Sequence, residues 1–151
     1  ESIIQEIFEI SKNALCEVTY PEDVLIGKSA DDDAQIKDLK DITDDDLILD
    51  VGPKTLKRIK NIIENSETVL WNGPAGYFEN PNFANGSIEI AKTIIKKNKD
   101  DSIYSVVGGG DTVAIVNQMN GIKDFNFVST AGGAFLEYLE GKELPGIKAL
   151  K

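Results

Sequence analysis

The stretch IYSVVGGGDTVAIV, residues 103–116, decides how this chain folds. Its first five residues, 103–107, form a short and mostly apolar run, which predicts a buried strand. Val113, Val116 and Met119 follow at the spacing of one helix face. Three glycines at 108–110 stand between them and allow a tight turn in which the backbone can approach a ligand closely. A strand that passes through such a turn into a helix is the repeating unit of parallel α/β sheets.

The same pattern of strand, glycine turn and helix occurs twice more. The strands span 68–71 and 125–129, the turns 72–76 and 130–133, and the helices 84–97 and 135–139. This alternation predicts a three-layer, Rossmann-like α/β fold with a mainly parallel sheet. The carboxyl ends of parallel strands meet at one edge, where ligands of such folds bind. We therefore expect the turns at 72–76, 108–111 and 130–133 to converge.

The first half of the chain is more polar. Its predicted elements are a helix over 2–15, strands over 16–20 and 24–27 separated by Pro21, a buried strand over 47–51, and a helix opening at Gly52-Pro53. Proline is tolerated in the first turn of a helix. The aspartate triplets at 31–33 and 44–46 lack the alternating spacing and the glycine of a calcium loop. They are interpreted as solvated surface.

The charge balance argues against two classes of partner. The sequence of 151 residues has 26 acidic against 16 basic residues and a formal net charge of -10. Nucleic acid and anionic membranes both attract basic surfaces, so we expect neither as a partner. The lone Cys16 rules out an internal disulfide and is typical of the reducing cytoplasm. Because the first residue is Glu1 rather than Met, the chain is expected to be part of a longer protein.

Histidine is absent from the sequence. Its absence excludes Ser-His and Cys-His nucleophiles and histidine general bases within this segment. Chemistry here has to use carboxylates, lysines, backbone amides and helix ends. The composition therefore indicates the handling of charge rather than acid–base catalysis.

The turn GGGDT at 108–112 carries the sharpest local signal. Glycines followed by a helix present free N–H groups and the positive end of the helix dipole, which suits a phosphate. Asp111 could hold Mg²⁺, because that cation prefers oxygen ligands. The alternative is a tight turn in which Asp111 only caps the helix. For the second turn, at 130–134, anion binding and close helix packing remain equal alternatives.

The loop WNGPAGYFE at 71–79 combines aromatic surface with one carboxylate. Pro74 and the aromatic rings could flank a purine, and Glu79 could accept hydrogen bonds from ribose hydroxyls. Taken by itself, the loop is better interpreted as an ordinary connection whose aromatic rings enter the core. Lys54 could approach a phosphate, but a plain helix start is the better interpretation.

Taken together, these segments resemble the phosphoglycerate kinase family. The resemblance rests on DVGPKT at 50–55, WNGP at 71–74, GGGDT at 108–112 and VSTAGGA at 128–134, in that order. LEGKELPG at 139–146 is similar to the family's ending. The resemblance implies a two-domain glycolytic enzyme that transfers a phosphoryl group between Mg-ATP and 3-phosphoglycerate, giving 1,3-bisphosphoglycerate. Residues 1–151 would be an incomplete C-terminal domain that binds ATP or ADP.

The resemblance also implies roles for individual residues. Asp111 would bind the Mg²⁺ of the nucleotide, Glu79 the ribose, and Gly132 and Gly133 would present helix-end amides to the transferred phosphoryl group. The other nucleotide contacts would be Leu49, Pro74 and Tyr77 around the adenine, Gly109, Gly110 and Thr112 along the phosphates, and Asn72 and Gly108 elsewhere in the site. The family pattern differs at Ala131, usually glycine, Phe135, usually serine, and Tyr77, commonly valine. Residues 46–48 replace the usual Trp-Met-Gly.

The resemblance covers only part of an enzyme. The N-terminal domain, through which 3-phosphoglycerate would bind, and the family's phosphate-binding lysines would lie outside these residues. The parent protein is expected to be a cytoplasmic monomer. Two hypotheses remain for the segment itself: the nucleotide half-site of a kinase, or a non-catalytic module that binds nucleotide weakly or serves as a partner surface.

Overall fold

The computed structural model describes residues 2–151 and arranges their strands in two three-stranded sheets. The helices are α1 (Ser2–Asn13), α2 (Pro53–Glu64), α3 (Asn85–Lys99), α4 (Gly110–Gln118), α5 (Gly133–Leu139) and α6 (Pro145–Lys148). The strands are β1 (Asp23–Gly27), β2 (Gln35–Asp38), β3 (Leu47–Val51), β4 (Thr68–Asn72), β5 (Tyr104–Gly108) and β6 (Phe127–Val128). No helix within residues 2–151 combines the length and the apolarity that a membrane span requires.

The second half of the chain forms a parallel sheet in the order β4-β5-β6. Asn72 pairs with Gly108, and Val107 with Val128, so the strands run in one direction and end at one edge. Helices α3 and α4 make the two crossovers. The predicted parallel arrangement and the predicted convergence of the three turns are confirmed for this half.

One face of the parallel sheet carries the main core. Trp71 and Val107 point to this face and pack with Ile94 of α3 and Val116 of α4, and α2 adds Leu56. The opposite face is largely uncovered among the described residues, except at its carboxyl end, where Phe135 of α5 lies against Gly108. Its apolar side chains are exposed: Leu70 is 42% accessible, Tyr104 53% and Phe127 52%. The sequence patterns of these strands, apolar on both faces, are typical of a sheet covered on both sides.

The first half forms an antiparallel sheet in the order β2-β1-β3. The prediction of one mainly parallel sheet was therefore wrong for three of the six strands. The physical reason is that no α-helix lies between these strands, whereas parallel neighbours are usually joined by a helical crossover. Strand β2 was missed because it is an edge strand whose apolar residue, Ile36, is exposed.

Two other local predictions were wrong. Residues 16–20 alternate in polarity but have no strand partner and lie in irregular structure. Strand β3 was expected to be buried, yet Leu47 and Ile48 are exposed and only Asp50 is fully buried. Helix α1 was predicted correctly, although none of its residues is buried.

The aspartate triplets are not uniformly solvated surface. The side chain of Asp46 has no accessible area and accepts hydrogen bonds from Lys37 Nζ at 2.6 Å and from the Thr43 N–H at 2.9 Å. Lys28 Nζ approaches its other oxygen at 3.3 Å. The hydrogen bond from Lys37, with those from Thr43 and Lys28, holds the pKa of Asp46 well below its ordinary value. This carboxylate therefore links the edge strand β2 to the residue that precedes β3.

Replacing Asp46 by asparagine is expected to destabilise the protein at neutral pH, because the variant loses the charge that both lysines face. Since the folded-state pKa is depressed, the stabilisation is complete above the unfolded value of 3.8 and is lost progressively as the pH falls from there through the folded-state pKa. Urea unfolding of the full-length protein between pH 7 and pH 3 measures the full effect at neutral pH and the onset of its loss in acid. Asp45→Asn, at an exposed neighbour, is the matched control. Equal effects of the two substitutions would contradict the assignment.

Candidate functional site

Three glycine-containing turns lie side by side at the carboxyl edge of the parallel sheet. The Gly73 N–H donates to Oγ1 of Thr112 at 2.7 Å, which joins the first turn to the start of α4. The Ser129 N–H donates to the Val107 carbonyl at 2.8 Å, which brings the third turn beside the second. Phe135 of α5 packs against Gly108. The turns predicted to share one site are therefore in contact.

The second turn opens α4 without a side-chain cap. Gly109 occupies the N-cap position at φ 86°, a conformation that favours glycine, and no side chain there bonds the first N–H groups. Asp111 lies within the first turn of the helix and is exposed. It is not the N-cap, so the interpretation of Asp111 as a simple cap is wrong. Free N–H groups and a nearby carboxylate suit an anion accompanied by a cation.

Thr112 has a different position from its neighbours. Its side chain is 1% exposed, and Oγ1 accepts the Gly73 N–H. The hydroxyl therefore connects two turns, and contact with a phosphate would come from the backbone N–H. Sequence reasoning gave no signal for this bridge, because it joins residues far apart in the chain.

The third turn has the same form as the second. Gly132 is the N-cap of α5 at φ 54°. A Cβ atom placed at Gly110, Gly132 or Gly133 would meet no other atom within 4 Å. The side-chain directions at these glycines are therefore open, so the surface beside the two helix starts is accessible to a ligand.

The loop after β4 brings two of the residues predicted to contact the nucleoside together. The Tyr77 N–H donates to the Leu49 carbonyl at 2.7 Å, so Leu49 and Tyr77 are neighbours. Tyr77 and Glu79 are exposed and Pro74 is half-buried. Trp71, by contrast, is buried in the core, and its Nε1 donates to the Gly73 carbonyl at 2.8 Å. Part of the aromatic surface thus belongs to the core, as the plainer interpretation of this loop predicted, and part faces outward.

Asn72 begins the first turn, and its side chain faces the second. Its Nδ2 is buried and is the one buried side-chain polar atom in residues 2–151 that has no hydrogen-bond partner. Its side chain sits against Gly108 and Gly109. An unmade hydrogen bond of this kind costs about 1–3 kcal/mol, which is a reason to expect a partner outside the described chain.

The charges at this edge are few. The three turns contain no lysine or arginine. Lys54 pairs with Asp38 at 2.6 Å, so the helix-start interpretation of Lys54 is confirmed. No group of three or more His, Cys, Asp or Glu side chains comes together anywhere in residues 2–151. A cation bound at Asp111 would therefore take most of its ligands from the nucleotide and from water, as Mg²⁺ commonly does.

Sequence reasoning missed two buried residues behind the loop. Asp50 is 2% exposed and accepts the N–H groups of Gly86 and Val51, each at 2.8 Å. Burial raises the pKa of the Asp50 carboxyl, and the two N–H donors lower it only in part. Ser87 accepts the Ala75 N–H at 2.9 Å. A carboxylate in the middle of an apolar strand was the signal available for Asp50, and nothing in the sequence pointed to Ser87.

Comparison with known proteins places these features in a family. The phosphoglycerate kinase family model matches residues 1–142. The phosphoglycerate kinase of Caulobacter vibrioides is 45% identical over 149 residues, covering 97% of this chain and 38% of the relative. That of Zymomonas mobilis is 43% identical over 150 residues, covering 98% and 38%.

Solved structures agree with the sequence matches. The phosphoglycerate kinase from Coxiella burnetii superposes with a TM-score of 0.87 at 37% identity, covering 99% of this chain and 38% of that one. The enzyme from Pyrococcus horikoshii gives 0.77 at 30% identity, covering 99% and 36%. The chain thus spans a little over a third of the length of these relatives. It belongs to the phosphoglycerate kinase family.

Proposed function

We propose that residues 1–151 are the nucleotide-binding, C-terminal part of a two-domain phosphoglycerate kinase. The parent protein transfers a phosphoryl group reversibly between ATP and 3-phosphoglycerate in cytoplasmic glycolysis. This segment binds the magnesium nucleotide, and 3-phosphoglycerate binds through an N-terminal domain outside it. Family membership supports the reaction class.

One observation carries the proposal: three glycine-containing turns meet at one sheet edge, with the carboxylate of Asp111 beside them. Two of the turns lead into helices whose N-cap residue is glycine, so no side chain caps their first N–H groups. Phosphoryl transfer needs positioning and charge stabilisation more than acid–base groups. This edge supplies backbone donors and one carboxylate, in a chain without histidine.

The individual roles follow the resemblance. Backbone groups at Gly109, Gly110 and Thr112 line the phosphates, and Gly132 and Gly133 present N–H groups to the transferred phosphoryl group. Asn72 and Gly108 contact the nucleotide elsewhere in the site. Leu49, Pro74 and Tyr77 border the adenine, and Glu79 accepts from the ribose. The hydrogen bond between the Tyr77 N–H and the Leu49 carbonyl supports the adenine assignment, because it brings two of its members together.

The magnesium site rests on Asp111. Its side chain is exposed in the first turn of α4 and is not used as a helix cap, so its oxygens are available to a cation. Magnesium held there would supply positive charge that offsets the negative charge of the phosphates. The chain's own contribution is to hold the phosphates against the helix start and to aim one carboxylate at the metal.

If the parallel sheet belongs to a three-layer, Rossmann-like domain, the layer over its uncovered face comes from outside these residues. Leu70, Tyr104 and Phe127 are large, apolar or aromatic, and exposed on that face. Parallel sheets are normally covered on both faces. We propose that a segment of the parent protein supplies the missing layer, which agrees with the small share of its relatives that this chain spans.

The alternative is a non-catalytic module that binds nucleotide weakly. The observation that favours it is the lack of any lysine or arginine in the three turns, together with the net charge of -10. This alternative applies to the segment by itself, whereas the kinase assignment applies to the parent protein.

The test of the proposed function is a coupled assay on the full-length protein. Formation of 1,3-bisphosphoglycerate from 3-phosphoglycerate should require both ATP and Mg²⁺, and titration calorimetry should detect binding of Mg-ADP. Omitting 3-phosphoglycerate is the control, since a simple ATPase would still release phosphate. A full-length protein that neither binds Mg-ADP nor phosphorylates 3-phosphoglycerate would overturn the proposal.

A further inference from the structure

A buried carboxylate lies directly beneath the loop that carries Pro74, Tyr77 and Glu79. Asp50 comes from β3 and is almost completely buried. One of its oxygens accepts the Gly86 N–H at the start of α3, and the other accepts its own neighbour's N–H, that of Val51. The side chain thereby connects an antiparallel strand to the first turn of the helix that follows the loop.

The backbone passes unusually close to this carboxylate at two glycines. A Cβ atom at Gly76 would lie 2.5 Å from Cγ of Asp50 and 2.6 Å from the Leu49 carbonyl oxygen. A Cβ atom at Gly86 would collide with the same carboxylate. Such distances are impossible for real side chains, so only glycine fits at either position. Gly76 belongs to the loop, and Gly86 to α3.

The loop is attached to the same supports by two hydrogen bonds. The Tyr77 N–H donates to the Leu49 carbonyl, next to Asp50 in β3. The Ala75 N–H donates to Oγ of Ser87, next to Gly86 in α3. The position of the loop is therefore determined by β3 and α3 together. Asp50 holds these two elements to each other.

A second buried carboxylate provides a comparison. Asp23 is fully buried and accepts the N–H groups of Lys54 and Thr55 at 3.0 and 2.8 Å, so it caps α2 from β1. It also sits against a glycine, Gly52. None of its hydrogen bonds within the described chain reaches residues 73–80. The two carboxylates thus have the same kind of structural role, but only Asp50 touches the loop.

We infer that Asp50, with Ser87, is a positioning residue for nucleotide binding: it sets the place of Pro74, Tyr77 and Glu79 without contacting the ligand. The inference rests on the proposed function, because it assigns these loop residues to the nucleoside. A misplacement of about 1 Å at a binding group can reduce function by about 10²-fold. The loop is the part of the candidate site that a change at Asp50 would move first.

The experiment compares Asp50→Asn with Asp23→Asn in the full-length protein. Asparagine keeps the size of the side chain but turns one acceptor into a donor that faces a backbone N–H. For Asp50→Asn we expect the Kd for Mg-ADP and the KM for Mg-ATP to rise about tenfold to a hundredfold. The Michaelis constant for the phosphoglycerate substrate should stay within about twofold, because that substrate does not meet the loop. Asp23→Asn should leave all these constants near those of the unsubstituted protein.

Ser87→Ala provides a milder second arm in case Asp50→Asn does not fold. It removes the single bond to the Ala75 N–H and should weaken Mg-ADP binding by about threefold to tenfold. Unchanged Mg-ADP affinity in the folded Asp50→Asn protein, or an equal loss in Asp23→Asn, would overturn the inference. If Asp50→Asn fails to fold, unchanged affinity in Ser87→Ala overturns it. Failure of the unsubstituted protein to bind Mg-ADP overturns the proposed function and this inference with it, and is thus a distinct result.

Discussion

Replacing Asp111 by alanine in the full-length protein is expected to lower kcat by about 10²-fold or more while leaving the fold intact. In the proposed role Asp111 holds a cation, and the cation stabilises the charge that develops on the transferred phosphoryl group, so loss of the carboxylate should act mainly on turnover. The fold should tolerate the change because Asp111 is exposed and does not cap α4.

Steady-state kinetics over a range of Mg²⁺ concentrations measures this effect. The activity of Asp111→Ala should recover in part when Mg²⁺ is raised, because the nucleotide retains its own oxygen ligands for the metal. Recovery should stay incomplete, because the carboxylate of the protein is missing. Asp100→Ala is the matched control: it removes an equal charge at the exposed end of α3, before β5 begins. Unchanged turnover of Asp111→Ala at low Mg²⁺ would mean that Asp111 is a surface residue without a role in cation binding.

The 151-residue chain expressed by itself is expected to show no turnover of the phosphoglycerate substrate and weak or undetectable binding of Mg-ADP. Its net charge of -10 opposes an anionic ligand, and its three turns carry no cationic side chain. Glycine-turn amides and a helix dipole contribute about 0.3–1 kcal/mol each toward an exposed anion. Micromolar binding requires about -8 kcal/mol.

Titration calorimetry with Mg-ADP and the coupled kinase assay test this prediction, with circular dichroism to establish that the chain is folded. The full-length protein measured under the same conditions is the control. Micromolar affinity of the folded chain would contradict the prediction and would mean that the half-site needs no further residues. Measurable turnover would contradict it more strongly, because the binding site for 3-phosphoglycerate would then have to lie within these residues.

The sequence by itself determined the parallel half of the fold and the residues that meet at its edge. Each strand from β4 to β6 is a short apolar run, each ends in a glycine-containing turn, and each is followed by a helix. These are local patterns, because the pleat, the turn and the helix period involve residues close together in the chain. For the same reason the sequence predicted that the glycines at 108–110 join β5 to α4.

Only the tertiary structure decided the antiparallel sheet and the supports of the candidate site. Strand β2 exists through its pairing with β1, and residues 16–20 lack such a partner despite their alternating pattern. Asp46 becomes buried when Lys37 reaches it from another strand, and Asp50 when the backbone of Gly76 and Gly86 closes over it. The physical reason is that hydrogen bonds, ion pairs and close approaches between distant segments leave no periodic signal in the sequence, so these roles follow from contacts that form only when the chain is folded.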